Sequence, residues 1–74
     1  MPSVSRQRRV LGQNIRAYRK QAELSQEELA EKASLSVIFL SLLENGHRTA
    51  SFDSLLRIAK ALGIKLENLV HGVD

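Results

Sequence analysis

The stretch that decides the fold is SQEELAEKASLSVIFLSLLENG, residues 25–46. Ser25 and Glu28 have the spacing of a capping box, in which the serine hydroxyl and the glutamate carboxylate each accept a hydrogen bond from a backbone amide of the first helical turn. A helix is therefore predicted to begin at Gln26. Its apolar residues recur at helical spacing and predict a narrow buried stripe formed by Leu29, Ala30 and Ala33.

A second helix follows after a connection of only three residues. Ser36 can cap this helix, which is predicted over residues 37–45, and Gly46 can supply the positive φ that ends many helices. Leu40 and Leu43 lie on one side of it and are predicted to be core. So short a connection makes the two helices cross at a steep angle. That is the geometry of a helix-turn-helix, whose second helix can enter a DNA major groove.

Three more helices are predicted outside this pair. Residues 1–5 lack periodicity and are expected to be loose, and a helix is predicted over residues 6–22 from Leu11, Ile15, Tyr18 and Ala22. Ser51 can cap a fourth helix that ends at Gly63, with an apolar stripe of Phe52, Leu55, Leu56, Ala59 and Leu62. A short fifth helix is predicted at about residues 66–71. The sequence thus predicts a single all-α domain over residues 1–74, a compact bundle of five helices.

Charge and composition narrow the classes of partner. The net charge is +3. Residues 1–20 contain no acidic residue and six basic ones, which are Arg6, Arg8, Arg9, Arg16, Arg19 and Lys20. This basic block suits a polyanion such as DNA, although a solvated helix face is an equal explanation for its first three arginines. The chain has no cysteine, no apolar run of about 20 residues and no signal-peptide pattern. We therefore expect a cytoplasmic protein that has no contact with a membrane.

Catalytic and metal sites are not predicted. His47 and His71 lack the cluster of carboxylates that a metal site needs. The sequence contains neither a nucleophile with a base and an orienting acid nor a glycine-rich phosphate loop. We expect neither enzymatic activity nor a cofactor, a metal or a small-molecule ligand.

Three sequence fragments, in order and at matching spacing, resemble the Cro/CI-type (XRE) helix-turn-helix family. They are residues 26–30, QEELA; residues 40–46, LSLLENG; and residues 55–63, LLRIAKALG. The resemblance extends over roughly residues 11–70. It implies a lambda-repressor-like DNA-binding domain, with the helix-turn-helix at helices 2 and 3. Small phage repressors, restriction-modification controller proteins and antitoxins all share this layout, and the sequence does not separate them.

The resemblance also implies roles for Gln26, Arg19 and Glu44. In the family, a glutamine at the start of helix 2 commonly contacts the DNA backbone, and the positive end of a helix dipole suits a phosphate. The alternative for Gln26 is simply a good helix former. Arg19 is expected to form a structural ion pair with Glu44 and to lie near the DNA backbone, because a buried carboxylate needs a partner. The alternative is that both side chains are exposed.

Helix 3 departs from the family pattern on its outward face. Family members usually place glutamine, arginine, lysine or threonine at several of these positions, whereas this chain has Val37, Ile38, Ser41 and Leu42. Ser36, at the start of the helix, is also a predicted DNA contact. The three apolar side chains on this face can offer only apolar contact to bases, chiefly to thymine methyl groups. We expect base contact and weaker or more shape-dependent recognition. Burial in the core and a protein interface are the alternatives.

Further DNA contacts are expected after helix 3. In the family, the loop at this position contacts the DNA backbone. The corresponding residues of this chain are Asn45, His47, Arg48 and Thr49. Guanidinium, hydroxyl and backbone amide groups are suitable phosphate ligands.

Together these observations predict a sequence-specific transcription regulator. We expect a homodimer on a roughly palindromic operator of double-stranded DNA, with helix 3 in the major groove, and regulation through the concentration dependence of dimerisation. The candidate dimer interface is Ile64, Leu66, Leu69 and Val70, although some of these residues are expected to belong to the monomer core. The alternative is a protein-interaction module that uses the apolar face of helix 3.

Overall fold

The computed structural model describes residues 4–73, which form five helices and no strand. The helices are α1 (Val4–Gln21), α2 (Gln26–Ala33), α3 (Val37–Glu44), α4 (Phe52–Leu62) and α5 (Leu66–Leu69). This confirms the predicted all-α fold. Residues 1–3 of the segment expected to be loose, and residue 74, lie outside the described range. Val4 and Ser5 belong to α1, so for them that expectation is wrong.

Local hydrogen bonds begin and end α2. The Ser25 hydroxyl accepts from the Glu28 amide at 3.0 Å, and the Glu28 carboxylate accepts from the Ser25 amide at 2.8 Å, which confirms the capping box. Hydrogen bonding of the Glu28 carboxylate to Ser25, through its backbone amide foremost and then through its hydroxyl, lowers the pKa of Glu28 below its ordinary value. At the other end, Ser34 adopts the left-handed conformation with a φ of 57°. The Leu35 amide then donates to the carbonyl of Ala30 at 2.8 Å.

The turn leads directly into α3. The Ser36 hydroxyl accepts from the Phe39 amide at 2.9 Å, as expected of the cap. Asn45 ends the helix, and Gly46 follows with a φ of 77°. The helix-turn-helix is thus specified largely by residues within the pair itself.

The core lies where the helices meet, and every helix contributes to it. Its buried apolar side chains are Leu11, Ile15, Leu29, Ala30, Ala33, Leu40, Leu43, Ile58, Ala59 and Leu69. Burial of such side chains is the main favourable term in folding, about 25 cal/mol per Å² of apolar surface removed from water. The predicted stripe of α2 and the predicted core positions of α3 are confirmed.

The predicted apolar stripe of α4 is partly wrong. Phe52 and Leu56 are 66% and 43% exposed, whereas Ile58, which the stripe omitted, is completely buried. Spacings of three and four residues describe more than one face of a helix rich in apolar residues. The buried face is the one that α2, α5 and α1 cover. Ala22 is likewise exposed, in the turn after α1.

Candidate nucleic-acid interface

Helix α1 holds α3 through a close backbone contact at Gly12. A Cβ atom at this position would lie 2.6 Å from the carbonyl oxygen of Glu44 and closer still to that of Leu43. Real Cβ atoms do not approach a backbone oxygen this closely, so only glycine allows α1 to pass the end of α3 at this distance. The contact fixes the position of α3 relative to α1.

A buried polar network lies beside this contact. The Arg19 Nε donates to Glu44 Oε2 at 2.7 Å and its Nη2 donates to Oε1 at 3.0 Å, while its Nη1 donates to the Leu24 carbonyl at 2.8 Å. Glu44 is 6% exposed. The expected ion pair is present in bidentate form, and the alternative of two exposed side chains is excluded. Such a pair is directional and holds both helices in one orientation.

Gln26 belongs to the same network. Its Nε2 donates to Glu44 Oε1 at 3.0 Å, which fixes the side chain at the start of α2. The second N–H of the amide group has no role in this bond and is available to a ligand. Gln26 lies in an open cleft whose lining is Arg16, Arg19, Ser25, Gln26, Glu27, Val37, Glu44 and Asn45.

The outward face of α3 is apolar in its first turn. Ile38 is 71% exposed and Val37 is 37% exposed, so burial in the core is excluded for Ile38. Ser41 and Leu42 are half-buried, and Asn45 is exposed at the far end of the helix. An exposed isoleucine costs free energy in water unless a partner covers it. The exposed part of this face is therefore apolar at the start of the helix and polar at its end.

The loop after α3 carries one cation over an aromatic ring. The Arg48 guanidinium carbon lies 5.3 Å from the centroid of the Phe39 ring, a cation–π contact that places the charge beside α3. The Thr49 hydroxyl accepts from Arg8 Nε at 2.9 Å, which ties the loop to α1. His47 is exposed.

Comparison with known proteins assigns the family. The helix-turn-helix model HTH_3 matches residues 15–69. The chain belongs to this XRE-type helix-turn-helix family. An immunity repressor protein of Bacillus phage phi105 is 42% identical over 60 residues, 81% of this chain and 42% of the repressor. The control protein C.BamHI of Bacillus amyloliquefaciens is 36% identical over 64 residues, 85% of this chain and 79% of that protein.

A solved structure agrees with the fold of this helix-turn-helix protein. The restriction-modification controller protein C.AhdI from Aeromonas hydrophila superposes with a TM-score of 0.83 and 34% identity, over 84% of this chain and 94% of C.AhdI. The family is one of DNA-binding transcription regulators and repressors, not of enzymes. The expectation that the chain is not an enzyme is thereby confirmed.

The helix-turn-helix protein has two further arginines at this surface that the site prediction missed. Arg16 is exposed and lines the cleft beside Gln26. Arg9 lies beside Gly46, where an added Cβ atom would come within 3.1 Å of Arg9 Cγ. A signal was available in the sequence. Arg9, Gly12, Arg16 and Arg19 recur at spacings of three, four and three, one face of α1.

One residue of the predicted dimer interface is wrong. Leu69 is completely buried in the monomer, because α5 turns it into the core against α1 and α4. Ile64, Leu66 and Val70 are half-buried. Phe52 and Leu56 are more exposed than any of these three and share one face of α4.

Neither a metal-binding cluster nor a membrane-spanning helix is found in residues 4–73. In this range no cluster of three or more histidine, aspartate or glutamate side chains could hold a metal ion. The same residues contain no helix that is both long and apolar enough to cross a bilayer.

Proposed function

We propose that this protein is a sequence-specific transcription regulator that binds a roughly palindromic operator as a homodimer, with α3 in the major groove. The supporting observation is the arrangement of charged and apolar side chains across α3. Arg16 and Gln26 lie in the cleft beside Val37, and Arg48 lies over Phe39. Successive helix residues are about 100° apart, so Ile38 projects between the two cations. A major groove has the matching order, with base edges between two rows of phosphates.

The proposed contacts fall into two groups. Toward phosphates we assign Arg19, Gln26, His47, Arg48 and Thr49. Toward base edges we assign Ser36, Val37, Ile38, Ser41, Leu42 and Asn45. Arg19 uses three of its five N–H groups within the protein, which leaves two for a phosphate. The Thr49 hydroxyl accepts from Arg8 and can still donate, so the two residues are proposed to bind one phosphate together.

For the homodimer we propose the exposed face of α4, with Phe52 and Leu56 at its centre and Ile64, Leu66 and Val70 at its border. A two-fold interface brings the same patch together from both copies. Asp53 lies near the start of α4 and Lys60 near its end, both exposed. Antiparallel pairing of two α4 helices therefore places opposite charges together. We propose that dimer formation controls operator occupancy in the cytoplasm, which then blocks or recruits polymerase.

The primary experiment is selection of bound duplexes from a random pool at about physiological salt, followed by anisotropy titration of the selected duplex against a scrambled one. A palindrome with half-sites about 34 Å apart and a specificity ratio of at least about 10³ supports the proposal. Equal, weak binding of both duplexes that disappears with added salt contradicts it.

Sedimentation across micromolar dilution tests the dimer. The Phe52→Glu variant is expected to dissociate and to lose operator affinity in parallel, because the new charge would be desolvated within the proposed interface. The matched control is Gln13→Glu, an exposed position of α1. Unchanged association of Phe52→Glu would exclude the α4 face.

A second candidate function, a protein-interaction module, is favoured by the 71% exposure of Ile38. Arg48→Glu discriminates between the two functions. A DNA-binding protein loses affinity for all duplexes and shows a shallower salt dependence, whereas an interaction module that does not use DNA is indifferent. Lys32→Glu, which makes the same change in net charge in a groove between α2 and α4, is the control.

A further inference from the structure

The first turn of α3 presents an apolar surface where a DNA-reading helix needs its most discriminating groups. We name this surface, formed by Val37 and Ile38, the apolar tip. Ile38 is 71% exposed and Val37 is 37% exposed, while Leu42, one turn further from Ile38, is half-buried. The tip is thus the exposed apolar part of the outward face.

Hydrogen-bonding side chains of α3 near the tip are few. The Ser36 hydroxyl accepts from the Phe39 amide as the helix cap. Ser41 is half-buried one turn later, and Asn45 is exposed at the far end. The tip itself has no side-chain donor or acceptor with which to distinguish the polar edges of bases. In the major groove, the one apolar group that a base pair presents is the C5 methyl group of thymine.

The charges beside the tip favour DNA over a protein as its occupant. Arg16 and Gln26 share a cleft with Val37 on one side. Arg48 lies over Phe39 on the other side. Cations on both sides of an apolar strip complement the two phosphate rows that border a groove. A purely apolar protein partner would leave these charges without a counterpart.

We propose that the apolar tip recognises the C5 methyl group of a pyrimidine in the major groove. This inference rests on the proposed DNA-binding function and specifies its ligand. Thymine and 5-methylcytosine carry the methyl group on the same ring carbon, whereas unmodified cytosine lacks it. The tip therefore accepts both methylated pyrimidines and disfavours cytosine, so cytosine methylation strengthens binding at a matching position.

Removal of the thymine methyl group from the DNA tests whether the tip recognises thymine. Each thymine of the selected duplex is replaced in turn by uracil, which preserves base pairing and charge and removes only the methyl group. Affinity is expected to fall about fourfold for each methyl that the tip covers, the factor that corresponds to ~0.8 kcal/mol per buried methyl group. The methylcytosine source is tested at the same positions, where 5-methylcytosine opposite guanine is expected to bind about fourfold more tightly than cytosine opposite guanine.

Variants connect the methyl effect to the tip. Ile38→Ala and Val37→Ala are expected to bind thymine and uracil duplexes with more nearly equal affinity. Lys32→Ala, in the groove between α2 and α4 and outside the proposed DNA contacts, should keep the full difference. Both tip positions are exposed, so the variants are expected to fold, which far-ultraviolet circular dichroism verifies.

The failures of the two proposals are distinguishable. If uracil duplexes bind as well as thymine duplexes while the selected sequence still exceeds the scrambled one, methyl recognition is wrong and operator binding stands. A methyl effect that persists unchanged in both tip variants also overturns the inference, because another surface then makes the contact. If no duplex is preferred and Arg48→Glu has no effect on binding, the proposed function itself fails, and a protein partner becomes the occupant to seek.

Discussion

A helix usually buries apolar side chains and exposes polar ones, but α3 also buries a charged side chain and exposes an apolar one. Its inner side buries the carboxylate of Glu44, which is 6% exposed, and its outer side leaves Ile38 71% exposed. The inner carboxylate is stable there because Arg19 and Gln26 supply its hydrogen bonds. The outer isoleucine has no partner on the described surface. One side of the helix therefore serves folding, and the other is the side that we propose for binding.

This contrast separates stability from recognition. Substitutions on the inner side should change the free energy of unfolding and affect DNA binding only through the fold. Substitutions on the outer side should leave unfolding unchanged and alter affinity directly. A surface residue away from special features normally changes stability by no more than about 0.5 kcal/mol.

The largest effect is expected for Glu44→Ala. Removal of the carboxylate leaves the Arg19 guanidinium largely buried without its counter-ion and breaks the bond to Gln26, which should cost about 3 kcal/mol. Urea denaturation measures the loss. Glu31→Ala, an exposed glutamate of α2, is the control and should cost no more than about 0.5 kcal/mol. A loss below about 1 kcal/mol for Glu44→Ala would mean that the network contributes little.

A smaller effect is expected for Gly12→Ala. Helix propensity alone favours alanine by about 1 kcal/mol. The added methyl group would meet the carbonyl oxygens at the end of α3, so α1 must move away, and we expect a net loss of about 1–3 kcal/mol. Thermal and urea unfolding measure it, with Gln13→Ala, exposed on the same helix, as the control. A net gain in stability would show that α1 can shift at no cost.

Ile38→Gln tests the outer side. The free energy of unfolding is expected to change by no more than about 0.5 kcal/mol, because the side chain makes little contact with the core. Duplex selection with this variant should give a changed sequence preference, since glutamine can bond an adenine edge. A loss of several kcal/mol in urea denaturation would end the distinction between the two sides.

The smallest effect concerns the capping box of α2, which is local to that helix. The amide and hydroxyl of Ser25 lower the pKa of Glu28 below its ordinary value of 4.5. The folded state therefore favours the deprotonated carboxylate. Its contribution to stability is present above the pKa of the unfolded chain and is lost as the pH falls through the lowered folded value.

Carboxyl-carbon NMR titration checks this pKa. Ser25→Ala, which removes the hydroxyl partner, should raise the pKa of Glu28 toward its ordinary value. A folded-state pKa at or above 4.5 in the native sequence would show that the carboxylate does not cap the helix in solution.

The sequence predicted those features that depend on neighbours along the chain. The capping residues Ser25, Ser36 and Ser51 all begin helices where expected. The pairing of Arg19 with Glu44 was available only through the resemblance to a family, since 25 residues separate the two. The buried face of α4 and the burial of Leu69 were not predictable, because apolar spacing alone did not reveal which side of a helix another helix would cover.

What the sequence determined by itself is thus the set of five helices, the tight turn at residues 34–36 and the buried stripes of α2 and α3. Short-range hydrogen bonds and periodicity decide these features. Tertiary structure alone decided that Gly12 admits the end of α3, that Phe52 and Leu56 face outward, that Arg16 shares a cleft with Val37, and that Arg48 lies over Phe39. Those outcomes depend on how whole helices pack, where each residue's exposure is set by segments distant in the chain.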